Sequence, residues 1–143
     1  MVGFEFKVNK SFLERSHHPI TIPRHKSNEM RQEGYLSYDD KERSSRRVNV
    51  SGLGPATHSG QIYYGMSGRG WYYQISFTTP SPMAGLGQLK IGHMIQVVVD
   101  RHDRSLSVFL LDFGDPDSII RLVDHLSPTS GGRLKAYLGR YLK

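Results

Sequence analysis

The stretch GQIYYGMSGRGWYYQISF, Gly60 to Phe77, carries two strand patterns separated by a glycine-rich segment. In its second half Trp71, Tyr73, Ile75 and Phe77 alternate with Tyr72, Gln74 and Ser76, the period-2 spacing of a strand with one face buried. In its first half Ile62-Tyr63-Tyr64 predicts a shorter strand. Between them lie Gly65, Met66, Ser67, Gly68, Arg69 and Gly70, where the glycines allow positive φ and a close approach to another surface. The expected loop presents one guanidinium flanked by aromatic rings. That chemistry suits a phosphate or a base edge better than a core.

Working outward, Phe4 to Val8 predicts an opening strand, and Asn9 to His18 is polar and irregular. Pro19-Ile20-Thr21-Ile22-Pro23 is a β-branched run bounded by prolines, as at a sheet edge or barrel rim. Arg24 to Glu33 holds helix formers with little apolar content, which fits a short surface helix. Tyr35 to Tyr38 reads as a strand, Asp39 to Arg47 as an exposed charged loop, and Val48 to Val50 as a brief strand before the loop Ser51 to Gly60. Downstream, Ile95, Val97 and Val99 share a strand face, and the apolar Val98 predicts cover on both faces. Asp100 to Arg104 reads as a solvated turn, and Leu106 to Leu111 as the returning strand. Asp115-Pro116 opens a helix whose stripe is Ile119, Ile120, Val123 and Leu126, and which Ser127 to Gly132 ends. Leu134 to Leu142 is a last element, helix or strand. Many short strands and one or two short helices make a mainly β fold, a mixed barrel, over a single domain of residues 1–143.

The 143 residues carry 19 Lys+Arg against 13 Asp+Glu, a net charge of +6, which favours a polyanionic partner and nucleic acid first. The absence of cysteine excludes a disulfide framework and a cysteine-ligated zinc site. No apolar run approaches the roughly 18 residues of a membrane span, and the N-terminus has no signal-peptide pattern. A cytoplasmic protein with no membrane partner is expected.

Catalytic signals are weak. Tyr63-Tyr64-Gly65 is similar to the second half of the GIY–YIG nuclease signature, but that chemistry needs a downstream metal-binding glutamate and the last one is Glu42. His17, His18, His25, His93 and His102 have no recognised metal-ligand spacing. Gly85-Leu86-Gly87 lacks the Lys-Ser/Thr of a phosphate cradle. No catalytic residue, metal or cofactor is expected.

Two polar segments offer more. Lys10, Ser11, Arg15, Ser16, His17 and His18 precede the Pro19–Pro23 strand, and Arg24 and Lys26 follow it. Ser67, Arg69, Trp71 and Tyr72 form the second group, with Gln74 on the strand face of Tyr72. On one rim of a sheet the two loops are expected to enter the major groove of double-stranded DNA together, arginine addressing guanine and Ser, Lys and backbone N–H groups holding phosphates. Trp71, Tyr73 and Tyr63 read as core, leaving Tyr72 as the better stacking candidate. An RNA- or single-strand-binding barrel stacking bases on the Trp/Tyr ridge is the alternative.

Phe6-Lys7-Val8-Asn9-Lys10-Ser11, then Ile20-Thr21-Ile22-Pro23-Arg24-His25, resembles the opening of the pseudobarrel DNA-binding domain of plant auxin-response and abscisic-acid-response factors. Leu89 to Val97 resembles that family's L-x-x-G-D-x-V-x-F segment, with His93 where an aspartate is usual. Ile62-Tyr63-Tyr64 is similar to a segment of the DNA-recognition effector domains of EcoRII-type restriction endonucleases, which share the fold. The plant domain's Trp-rich spacing is absent, so the likeness points to the bacterial branch. The resemblance implies a seven-stranded open pseudobarrel with an N-terminal arm over Lys10–His18 and a C-terminal arm over Tyr64–Tyr72. It also implies a short duplex target and a cutting activity held by a separate nuclease domain or subunit.

Overall fold

A computed structural model describes residues 1–54, 57–78 and 88–141. The Gly85-Leu86-Gly87 segment lies outside the described residues. In chain order the elements are β1 (Val2–Lys7), α1 (Lys10–Glu14), β2 (Ile20–Ile22), α2 (Arg24–Gln32), β3 (Ser45–Gly52), β4 (His58–Ser67), β5 (Gly70–Phe77), β6 (Met94–His102), β7 (Ser105–Leu111), α3 (Pro116–His125) and α4 (Pro128–Tyr141). The strands form one seven-stranded sheet in the order β1-β6-β7-β3-β4-β5-β2, curled into a nearly closed barrel. Every pairing is antiparallel except β3 with β7. The mainly β pseudobarrel expected from the sequence is the fold observed.

Two apolar clusters hold it together. The barrel interior takes the inward residues of the strands, among them Phe4, Phe6, Ile20, Ile22, Val48, Val50, Ile62, Tyr73, Ile75, Phe77, Ile95, Val97 and Val99, with Phe12 of α1 and Met30 of α2. A second cluster sits on the opposite face of β6 and β7, where Val98, Phe109 and Leu111 meet Leu122, Leu134 and Leu138 of α3 and α4. The double-sided burial anticipated at Val98 is therefore the work of the two C-terminal helices. The Asp115 side chain accepts from the Ser118 N–H and Pro116 occupies the first turn, so α3 starts where its cap predicts. The last element is helical, and it begins at Pro128, inside the segment expected only to stop α3.

Other expectations require correction. Residues 10–14 form a helix because the Asn9 side chain accepts from the Phe12 N–H at 2.9 Å, a cap the irregular polar reading passed over. Tyr35 and Leu36 are buried but not in a strand; their amides donate to the Met30 carbonyl at 2.8 and 3.2 Å, closing the end of α2. The charged segment 39–47 is not a free loop. Its last three residues, Ser45 to Arg47, open β3, and Asp40 is fixed by both Nη1 bonds of Arg46 at 3.0 Å. Asp100 is no solvated turn residue either. It lies at the end of β6, 3% exposed, in a two-point pair with Arg133 of α4 at 2.5 and 3.1 Å.

Candidate nucleic-acid interface

The β4–β5 hairpin is longer than its sequence suggests. Gly65, Met66 and Ser67 continue β4, paired with Tyr72, Trp71 and Gly70, so the turn is only Gly68-Arg69. The Ser67 hydroxyl donates to the Gly70 carbonyl at 3.3 Å and accepts from the Arg69 N–H at 3.2 Å, so it closes the turn. Arg69 is exposed at the tip and, among the described residues, its guanidinium makes no ion pair. Gly65 leaves room for its partner across the ladder: a Cβ there would stand 2.4 Å from Cζ of Tyr72, so the tyrosine ring that lies against the glycine would have to move.

The N-terminal segment sits at the other end of the same strand. β2 pairs with β5 from Ile20↔Ile75 to Ile22↔Tyr73, and the Phe77 N–H donates to the His17 carbonyl at 2.9 Å. Residues 15–17 therefore lie beside Phe77, while Arg69 precedes Gly70. The eight residues of β5 separate them, roughly 23 Å at strand rise. The expected pair of loops on one rim is thus corrected to two projections at opposite ends of β5.

Between those ends lies a polar face that the sequence reading did not single out. The outward positions pair in rows across four strands: Arg47 with Gln61 and Ser76, Ser45 with Tyr63, Gln74 and Thr21, and Asn49 with Ser59. None of these residues is acidic. Gln74 reaches Thr21 at 3.5 Å. Tyr63 belongs to this face and Tyr64 to the interior, the reverse of the expectation for Tyr63. The signal was available in the alternation of β3, where Ser45, Arg47 and Asn49 are exposed, but the charged run around it masked the period.

The candidate residues fall into different environments. Arg15 and Ser16 are exposed, as are Lys10 and Ser11 on α1, with Lys10 4.0 Å from Glu14 in a solvent-exposed pair worth little. Lys26 is half-buried and paired with Glu29 at 3.2 Å. His18 is buried at 9% exposure; its Nδ1 lies 2.8 Å from the Phe12 carbonyl and its ring packs on Phe12 and Phe77, so it anchors the segment rather than presenting a contact. Trp71 is half-buried with Tyr64 stacked at 6.2 Å and Tyr73 edge-on at 5.9 Å. Arg31 lies 4.1 Å from the Trp71 centroid and Arg24 lies 5.0 Å from it. Tyr64, Tyr73 and the two arginines thus surround the Trp71 ring within the protein. Among the described residues no three His, Asp or Glu side chains gather into a metal-sized cluster.

Beneath the turn, the Tyr73 hydroxyl donates to Asp40 at 2.5 Å, and Arg31 Nε donates to the same hydroxyl at 3.3 Å. Burial alone would push the Asp40 carboxyl up, but the hydrogen bonds from Tyr73, Arg46 and the Ser37 N–H outweigh it and hold the carboxyl below its ordinary value. Burial, then the bond to Asp40, push the Tyr73 hydroxyl up to about 12. The signs follow by linkage. Asp40 stabilises the fold above the ordinary carboxylate value of 3.8, and that contribution is lost as pH falls through its lower folded value. Tyr73 stabilises the fold below pH 10.0, and its contribution is lost as pH rises from there to about 12. In urea titrations from acid to alkaline pH, Tyr73→Phe is expected to flatten the alkaline limb and Asp40→Asn the acid limb. Unchanged limbs would show that the network does not form in solution.

No family model matches the chain, and no curated protein matches it. Among solved structures, the chain is similar to one from the Arabidopsis FUS3–DNA complex, at 13% identity and a TM-score of 0.47, over 76% of this chain and 94% of that one.

Proposed function

We propose that this chain is a sequence-specific module for double-stranded DNA. It reads a short site with the Gly68-Arg69 turn at one end of β5 and residues 15–17 at the other. The observation that carries the reading is the outward face of β3, β4, β5 and β2, which bears Arg47, Gln and Ser/Thr side chains and no carboxylate between two basic projections. A phosphate backbone crossing that face meets donors throughout and no like charge. The projections would then fall on either side of the contact, with Arg69 free to address guanine O6 and N7. The resemblance to restriction-enzyme effector domains extends the proposal: recognition here, with strand cleavage assigned to a separate nuclease domain or subunit. The packing of Trp71 and Tyr64 against Tyr73 and the arginines argues against a single-strand stacking platform.

Selection of bound duplexes from a random pool at moderate salt is expected to return a short consensus. Affinity for it should fall linearly on a log–log salt plot as counterions are released. Arg69→Ala should then lose about 1–3 kcal/mol of discrimination at one base pair of the consensus. Preference for single-stranded over duplex oligonucleotides, or a pool that never converges, would sink the reading.

A further inference from the structure

Arg24 reads from the sequence as a contact residue, but its geometry gives it another task. We infer that Arg24 is a positioning residue that presets the β4–β5 turn and so fixes where Arg69 is presented. The inference rests on the proposed role of that turn in reading DNA. Arg24 opens α2, directly after β2, and its Nη2 crosses to the neighbouring hairpin. There it donates to the Arg69 carbonyl at 3.2 Å and to the Trp71 carbonyl at 2.8 Å, one bond on each side of Gly70. The guanidinium also lies over the Trp71 ring at 5.0 Å. The hairpin is shaped to admit it: Gly70 has φ +106°, and a Cβ at that position would stand 3.0 Å from Arg24 Nη2.

A two-residue turn at the tip of a hairpin is ordinarily free to flex, because its carbonyls face solvent. Here two carbonyls flanking Gly70 are held by a side chain from a different part of the chain. Arg31 meets the same indole at 4.1 Å from α2, so one helix holds the tip end of the hairpin at two points. The Arg69 backbone is ordered before any ligand arrives, which lowers the entropy lost when its side chain meets a base. The donors that Arg24 spends on carbonyls are not available to a phosphate.

Arg24→Gln and Arg24→Lys separate the roles, because lysine keeps the charge but not the planar guanidinium that lies over Trp71 and aims one Nη2 at both carbonyls. Trp71 is the single tryptophan, so its emission reports the brace directly in the free protein. If Arg24 is a brace, both variants change Trp71 emission and speed amide exchange at Arg69 to Trp71 without DNA. Both then lose about tenfold in affinity for the selected duplex. The loss on random duplex is smaller, and the salt slope is unchanged. If Arg24 is a phosphate contact, Arg24→Gln lowers the salt slope by about 1 and weakens all duplexes alike, Arg24→Lys restores binding, and the free-protein signals stay at wild type. That set of results overturns the inference. A wild-type chain that binds no duplex would remove the DNA reading alone. The emission and exchange measurements still decide the brace, and wild-type values in both variants reject it.

Discussion

Phe12→Ala is expected to cost about 3–5 kcal/mol of folding free energy, the range for truncating a wholly buried aromatic ring. Phe12 has no exposed surface, and its ring packs edge-on against Phe6 at 5.3 Å, His18 at 5.8 Å and Phe77 at 6.4 Å. Those partners belong to β1, the segment before β2, and β5, so one side chain ties the N-terminal projection to both sides of the barrel. His18 adopts φ +42°, a conformation a non-glycine residue holds only when its surroundings enforce it. Removing Phe12 takes away that support as well as the apolar burial. Denaturant unfolding should show the loss as a lowered midpoint with unchanged slope. Amide exchange should rise first over residues 10–18, ahead of the β6–β7 hairpin. A loss under about 1 kcal/mol would mean that α1 does not pack into the barrel as described. Since the same segment forms one of the two proposed DNA-contacting projections, specific binding should weaken at a temperature where the variant is still folded.

Arg133→Ala is the second large effect, at about 2–3 kcal/mol. Asp100 is 3% exposed and its two oxygens are met by Arg133 Nη2 at 2.5 Å and Nε at 3.1 Å, while Nη2 also donates to the Arg101 carbonyl at 3.1 Å. Truncating the arginine strands a buried carboxylate without its cation, which costs more than the pair itself contributes. The Arg133 side chain is 38% exposed, so solvent screens part of the interaction and places the cost toward the lower end for a buried pair. The double variant Asp100→Asn with Arg133→Ala removes the stranded charge and should recover about half of the loss. A double variant no more stable than Arg133→Ala would show that the cost lies in lost packing of α4 rather than in the carboxylate. Because α4 packs on Val98, Phe109 and Leu111 through Leu134 and Leu138, the single variant should also loosen that helix before the barrel opens.

Much of the fold was legible where period and burial agree. Tyr73, Ile75 and Phe77 are buried at the alternating positions of β5, and Val98 is covered on the face opposite the barrel. The Asp115-Pro116 cap placed α3 correctly because a cap is a local event that needs no tertiary partner. The same local logic would have given α1 from Asn9, had its spacing to Phe12 been weighed against the polar surroundings. Tyr35 and Leu36 misled for the opposite reason: an apolar pair looks like a strand until its amides are spent on the end of α2.

The candidate site divides along the same line. Exposure of Arg15, Ser16 and Arg69 was readable, since charged and small polar residues beside prolines and glycines seldom find a core. His18 was not readable as an anchor. Nothing in His17-His18 distinguishes the ring that packs on Phe77 from its neighbour. Nor was Arg24 readable as a brace, because its carbonyl partners lie 45 and 47 residues away.

The chain's order of residues alone determined a basic, cysteine-free, mainly β domain, because charge, composition and the period of apolar residues are additive along a polymer. Only the folded barrel decided which basic residues face outward together, that the two projections stand at opposite ends of β5, and that an acid-free face lies between them. Register and strand order are set by contacts between residues far apart in the chain, and a one-residue slip would exchange the two faces of every strand. That sensitivity is why the surface proposed to meet DNA is a property of the tertiary structure and not of any one segment.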